Sequence, residues 1–230
     1  TIIKGVTYIS WSAFQGCSAL TSIAIPDSVT FIGEEVFDGC TGLTSVAIPY
    51  SVETIDHKAF YGCTGLKSVT FGQLSQLETI GDHAFSECIL LTSVTIPSLV
   101  TYIGENAFKG SGLTSVIIQE GVESIGYDAF NGCSKLTYVS IPPSVTYIDM
   151  NAFQGCDELA SVTIPDDIEM LHATAFSECN KLEKINFLGQ NILTEENFDE
   201  NKEMINNKTI SIIKEEIKAE AAAEKAAAEK

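Results

Sequence analysis

Arginine is absent from all 230 residues. Its planar guanidinium is the preferred partner of phosphate and guanine, and nucleic-acid-binding surfaces carry a basic stripe. Thirteen Lys face 31 acidic residues, a formal net charge of −18, and no basic stripe is visible. Nucleic acid is therefore not an expected partner. An acidic surface also repels anionic lipid headgroups. Runs of eighteen or more apolar residues are missing too, which excludes a helical membrane span and direct membrane insertion by one. No basic segment precedes an apolar run in the manner of a secretory leader. Thr1 falls inside an incomplete repeat, so the chain reads as a piece excised or processed from something longer. The missing targeting segment then carries no information.

Reaction chemistry leaves as little trace. There is no G-x-S-x-G, P-loop, G-x-G-x-x-G or H-E-x-x-H, the patterns that build nucleophile elbows, phosphate cradles and zinc sites. The seven Cys fall at 17, 40, 63, 88, 133, 156 and 179, never as a C-x₂₋₄-C pair, so zinc is not expected. Stacked equivalents would point the same way, a poor geometry for disulfides. Buried, reduced thiols acting as small apolar plugs are the expectation. Asp27, Glu34, Glu35 and Asp38 crowd one stretch, but without the alternating oxygen ligands of a calcium loop they read as solvated surface. His57, His83 and His172 stand two, one and three residues before the Ala of their repeat, so they do not converge on one column and no shared metal or catalytic site is expected of them. No enzyme, cofactor or metal site is expected.

What the chain does have is a period. Phe recurs at 14, 37, 60, 85, 108, 130, 153 and 176, preceded by Ala seven times and by Val36 once. One unit runs Leu43-Thr-Ser-Val46-Ala-Ile48-Pro49, Val52-Glu-Thr-Ile55, Ala59-Phe60-Tyr-Gly62-Cys63. The V-x-I step alternates and is β-branched, so it predicts a short strand with Val and Ile inward. The following Pro ends the pairing. The A-F-x-G-C segment, with its bulky plug and turn glycine, suits the return side of a coil. A single unit cannot bury its apolar face, whereas stacked units can. The prediction is a repeat solenoid over 1–190: about eight coils of 22–25 residues carrying a parallel β-ladder and a shared Leu/Val/Ile/Phe core.

The outward positions are candidates for contact. Along the V-x-I strands they are mostly Ser, Thr and Ala, with Lys67, Ile117 and Tyr138 as the large features. In the V-x-x-I segment a second column holds Tyr8, Phe31, Thr54, Thr79, Tyr102, Ser124, Tyr147 and Met170. Tyr is enriched at interface hot spots, so Tyr8, Phe31, Tyr102, Tyr147 and Met170 join the candidate protein-binding surface. The bland alternative is that these rings only cover neighbouring coils. Two departures from the frame stand out: Gly72-Gln-Leu-Ser-Gln-Leu-Glu78 has two extra residues and no Pro, and Lys109-Gly-Ser-Gly112 is one residue short and lacks Cys. Insertions in solenoids map to loops, often on a binding face, although loops also tolerate neutral change.

This frame resembles the BspA-type leucine-rich repeat. Leu91-Thr-Ser-Val-Thr-Ile-Pro97, Ser144-Val-Thr-Tyr-Ile148 and Ala129-Phe-Asn-Gly-Cys133 carry the likeness. The resemblance implies a leucine-rich-repeat solenoid, typically surface-exposed or secreted, that binds protein or mediates adhesion; it brings no catalytic residue. An assembly subunit stacking end to end is the alternative. After Gln190 the period stops. Residues 191–230 are expected to form a helical cap and a tail ending in Ala/Glu/Lys repeats, all strong helix formers, without a coiled-coil seam after Ile217.

Overall fold

The structure, a computed structural model, describes residues 2–187. The expected helical cap and tail at 191–230 lie outside them. Within the described residues the chain winds as stacked coils joined by parallel pairing.

Two strand series alternate along it. The V-x-I steps give β3 (Ser45–Ile48), β5 (Ser68–Phe71), β7 (Ser93–Ile96), β9 (Ser115–Ile118), β11 (Tyr138–Ser140), β13 (Ser161–Ile164) and β15 (Lys184–Phe187). The V-x-x-I segments give two-residue strands, β1 (Tyr8–Ile9), β2 (Phe31–Ile32), β4 (Thr54–Ile55), β6 (Thr79–Ile80), β8 (Tyr102–Ile103), β10 (Ser124–Ile125), β12 (Tyr147–Ile148) and β14 (Met170–Leu171). The short strands, which the sequence marked only as a column of side chains, form an unbroken eight-stranded parallel sheet in that order. The longer strands form three separate pieces, β3-β5, β7-β9-β11 and β13-β15. Between β5 and β7 the ladder opens where the two extra residues follow Phe71. A second opening falls between β11 and β13.

The core follows from the frame. In β3 the exposure alternates, Ser45 and Ala47 outward, Val46 and Ile48 inward, as a pleat requires. The eight Phe stack ring on ring, with successive centroids 5.0–5.3 Å apart and planes within 18°. That spacing is close to the ~4.8 Å rung of a β-ladder, so one ring per coil fills the interior without a gap. Such pairs add roughly 0.5–1.5 kcal/mol beyond area burial.

The return side holds itself by backbone bonds. Phe14 N–H donates to Val36 C=O at 2.9 Å, Phe60 to Ala84 at 2.8 Å, and Phe153 to Ala175 at 2.8 Å. Each of these amides thus reaches the coil that follows. To make that turn, the residue before the Ala or Val adopts positive φ in seven coils: Ser12, Glu35, Lys58, His83, Asn106, Asp128 and Asn151, at 52–58°. The left-handed region costs most side chains roughly 1–2 kcal/mol, and less for Asn and Asp, which bond locally. The Gly of A-F-x-G takes the same region in six coils; Glu87 and Glu178 occupy it in the two that read A-F-S-E-C.

Side chains staple the coils as well. Ser28, Ser51 and Ser144 donate their hydroxyls to Val6, Val29 and Val122 C=O at 2.7–2.8 Å, which explains the Ser before Val in the frame. Each thiol from Cys40 onward lies 3.1–3.5 Å from the carbonyl oxygen of the Phe one coil earlier. Ser111 takes the Cys position in the short coil and contacts Cys133 Sγ at 3.2 Å. Burial pushes Cys40 up to about 11, and Cys63 and Cys133 to about 12. Six thiols are buried as expected. Cys17 is exposed, because no described coil lies before it to cover it.

Candidate functional site

Two outward faces carry the large side chains. On the V-x-I face, Ile117 and Tyr138 are well exposed, Tyr138 at 56%. Tyr138 pairs with Ser115 and Ser140 with Ile117, which places the two large residues diagonally on neighbouring strands, close enough to act together. Lys67 is exposed just before β5. Its amide donates to Thr44 C=O at 2.9 Å, leaving the ammonium toward solvent.

The insertion re-forms this face. Gly72 donates to Ile48 C=O at 2.9 Å and Gln76 to Tyr50 C=O at 2.8 Å, so the loop is pinned to the preceding coil at both ends. A Cβ on Gly72 would sit 2.6 Å from Tyr50 N, and only glycine permits that approach. The loop tip, Leu74, has φ 54° and is 90% exposed. A depression of about 560 Å³ opens between the loop and β7. Its rim is Thr70, Gln73, Ser75, Ser93, Thr95, Ser98 and Gln119, its floor Val69, Phe71 and Val94. No charged side chain lines it. A second depression of about 400 Å³ lies on the other side of the loop, bordered by Tyr50, Pro49 and Asp27. Tyr50 and Leu74 were missing from the sequence-derived surface; the inserted residues were the signal that could have found Leu74.

The short-strand face carries the aromatic column. Tyr8 stacks on Phe31, centroids 4.8 Å apart and planes 10° from parallel. Tyr102 and Tyr147 are each 41% exposed, separated by Ser124 in register; Met170 follows, half-buried. Tyr102 lies across the next coil: a Cβ on Gly126 would meet its hydroxyl at 2.5 Å. Phe31 and Tyr102 thus cover neighbours in part, while Tyr8, Tyr102 and Tyr147 keep exposed surface. Three residues on from the column positions stand Trp11, Tyr127 and Met150, also exposed. Periodicity alone missed them because their column is otherwise Glu34, His57, Asp82, Glu105 and Ala173. The structure puts Lys67, Ile117 and Tyr138 on one face and Tyr8, Phe31, Tyr102, Tyr147 and Met170 on the other; it does not merge them into one patch.

Although they share no column, His57 and His83 meet edge to face with centroids 5.6 Å apart, and Tyr61 approaches His83 at 6.3 Å. Different frame positions kept them out of one column, but diagonal neighbours on adjacent coils still touch. Burial, then the positive charges His57 and Lys58 can carry, lower the His83 pKa. Among the described residues no group of three or more His, Cys, Asp or Glu is placed to hold a metal.

Coils of this length, stacked through parallel strands around a Leu/Val/Ile interior with one Phe per coil, define the leucine-rich-repeat class. More narrowly, the chain belongs to the family described as the BspA type leucine rich repeat region, matched in six copies over residues 1–113 and 101–224. Comparison with curated proteins by sequence gave no match. Among solved structures, the chain is similar to the T. pallidum leucine rich repeat protein at 34% identity and TM-score 0.64, covering 68% of this chain and 74% of that one. A leucine-rich repeat protein from Eubacterium ventriosum has TM-score 0.55 at 24% identity, covering 69% of this chain and 52% of that one, which speaks for the fold. A protein from Faecalibacterium prausnitzii described as a leucine rich cell surface protein matches at 24% identity and TM-score 0.40, over 88% of this chain and 73% of that one.

Proposed function

We propose that this chain is a non-enzymatic binding scaffold, a protein-binding or adhesion module working at a cell surface or after secretion. One observation carries the reading. In a chain of net charge −18, the loop at 72–78 raises an exposed Leu74 beside an uncharged, hydroxyl-lined depression on the V-x-I face. Ile117 and Tyr138 extend that face two and three strands further on. An apolar anchor beside hydrogen-bonding groups, with the charge elsewhere, is the makeup of an interface centre. Surface location follows the family's habit rather than any feature of the coils.

The test is a surface plasmon resonance screen of the full chain against purified extracellular proteins. A saturable complex that Leu74→Gly and Ile117→Asp with Tyr138→Ser abolish, at unchanged fold, supports the reading. Saturable partners indifferent to both variants, or none, count against it.

A further inference from the structure

The aromatic column carries more than bare ring area. Four adjacent columns make up its face: the residue before each short strand, the outward strand residue, and the second and third residues beyond that one. Across eight coils they hold nine carboxylates and no Lys: Glu53, Glu78, Glu123, Glu169, Asp56, Asp149, Glu34, Asp82 and Glu105. In the last four coils the large apolar members are Tyr102, Tyr127, Tyr147, Met150 and Met170. Four of these five are exposed and Met170 is half-buried. Glu123 and Glu169 border them on one side, Glu105 and Asp149 on the other.

The carboxylates bear on the rings. Burial raises the Tyr102 pKa, and the negative charges of Glu105, Asp82 and Asp149 raise it further. Charges from three coils therefore act at one phenol. Cations near this face are few. His57 stands in the fourth of these columns and His172 in the third, and Lys109 is bound to Asp128, Nζ to Oδ2 at 2.5 Å. Tyr102 lies over Gly126, so its ring spans the coil whose column residue is only Ser124. The result is an aromatic floor running from Tyr102 to Tyr147 between two carboxylate edges.

We infer that this face binds an extended lysine- or arginine-bearing segment of a partner protein, its cations seated over Tyr102 and Tyr147 between Glu105, Glu123, Asp149 and Glu169. Tyr faces attract ammonium and guanidinium groups through the ring quadrupole, and carboxylates add charge-assisted hydrogen bonds. Tyr102 and Tyr147 stand two rungs apart, ~10 Å. An extended polyproline-type segment covers about that distance in three residues, so every third residue would face the chain. This rests on the protein-binding reading above and names the chemistry of one partner.

The test uses the full chain and a fluorescein-labelled peptide with Lys at every third position among Gly and Ser, read by anisotropy. Binding should fall as salt rises, and the same peptide with Glu for Lys should not bind. Tyr102→Ser with Tyr147→Ser leaves the net charge unchanged and should weaken binding roughly tenfold or more. Glu105→Gln with Asp149→Asn should weaken it well beyond Asp166→Asn with Asp167→Asn, which removes the same charge from a different turn. Matching urea midpoints would exclude misfolding. Absence of binding, indifference to Tyr loss, or equal effects of the two charge pairs would overturn the inference. A protein partner that needs Ile117 and Tyr138 but tolerates loss of Tyr102 and Tyr147 would overturn it too, while leaving the proposed function standing.

Discussion

Two aromatic columns climb this molecule at the same rung spacing, and they have opposite characters. The interior column is Phe in every coil, stacked at 5.0–5.3 Å. The exterior one begins as a stacked Tyr8–Phe31 pair, lapses to Thr54 and Thr79, and resumes as Tyr102 and Tyr147. Inside, each ring is fixed by a ring above and a ring below, and any smaller side chain leaves a hole. Outside, water accepts Thr or Ser at no such cost. Uniformity therefore marks what holds the coils together, and irregularity marks where the surface is free to be specific.

The sharpest way to break the contrast is Phe108→Ala. Removing a fully buried ring from mid-stack should cost about 3–5 kcal/mol, seen as a lower urea midpoint. Tyr147→Ser on the outer column should stay within about 0.5 kcal/mol. If the two costs were equal, the interior stack would not be what stabilises the array.

Next in size is the pair behind Tyr127. Asp128 is buried, and its Oδ1 has no hydrogen-bond partner among the described residues, so Lys109 alone offsets its charge. Lys109→Met should destabilise by about 2 kcal/mol, less than for a fully buried pair because the Lys is partly solvated. Adding Asp128→Asn should recover most of this, since Asn106 and Asn151 already take that backbone conformation one coil away on either side.

The thiol column sharpens the comparison through pH. Cys63 and Cys133 ionise only near 12, against an ordinary 9, so the folded state holds its protons where the unfolded chain releases them. The stability this provides is complete below about pH 9 and declines as pH rises from there toward 12. Urea midpoints taken across that range should fall with pH, and more shallowly in Cys63→Ala with Cys133→Ala. At about pH 8, iodoacetamide should label Cys17 in the native protein and the other six only after unfolding, as mass spectrometry would show.

At Leu74 a small gain is expected. Its positive φ and exposed side chain mean that Gly there should stabilise by roughly 0.5–1 kcal/mol, even while binding at the neighbouring depression is lost. A stability loss would show that the loop is structural.

The interior was legible because side-chain identity encodes it: Phe, Val, Ile and Cys recur at fixed offsets, and the V-x-I strands followed. The continuous sheet was not, since strands of two residues such as Thr54–Ile55 have no alternation to detect. Neither was the left-handed column, occupied by Ser, Glu, Lys, His, Asn and Asp alike, because backbone geometry and not residue type defines it. Of the candidate surface, Tyr8, Tyr102, Ile117, Tyr138 and Tyr147 were readable as outward positions. Trp11, Tyr50, Tyr127 and Met150 were not, lying in turns whose direction only the coil geometry settles. The His57–His83 contact escaped for the same reason.

Because the Phe amides reach forward to the next coil and the amides leaving the short strands reach back, as Gly33 does to Ile9 C=O, interior coils are interchangeable links in a one-way chain. Excising one whole period, for instance 23 residues from the middle, would let every broken bond find an equivalent mate. Excising half a period would leave the junction out of register, with no equivalent mate for its backbone bonds or its apolar flank. The array can thus be shortened or extended only in whole units, and its reach can change without redesigning its interior.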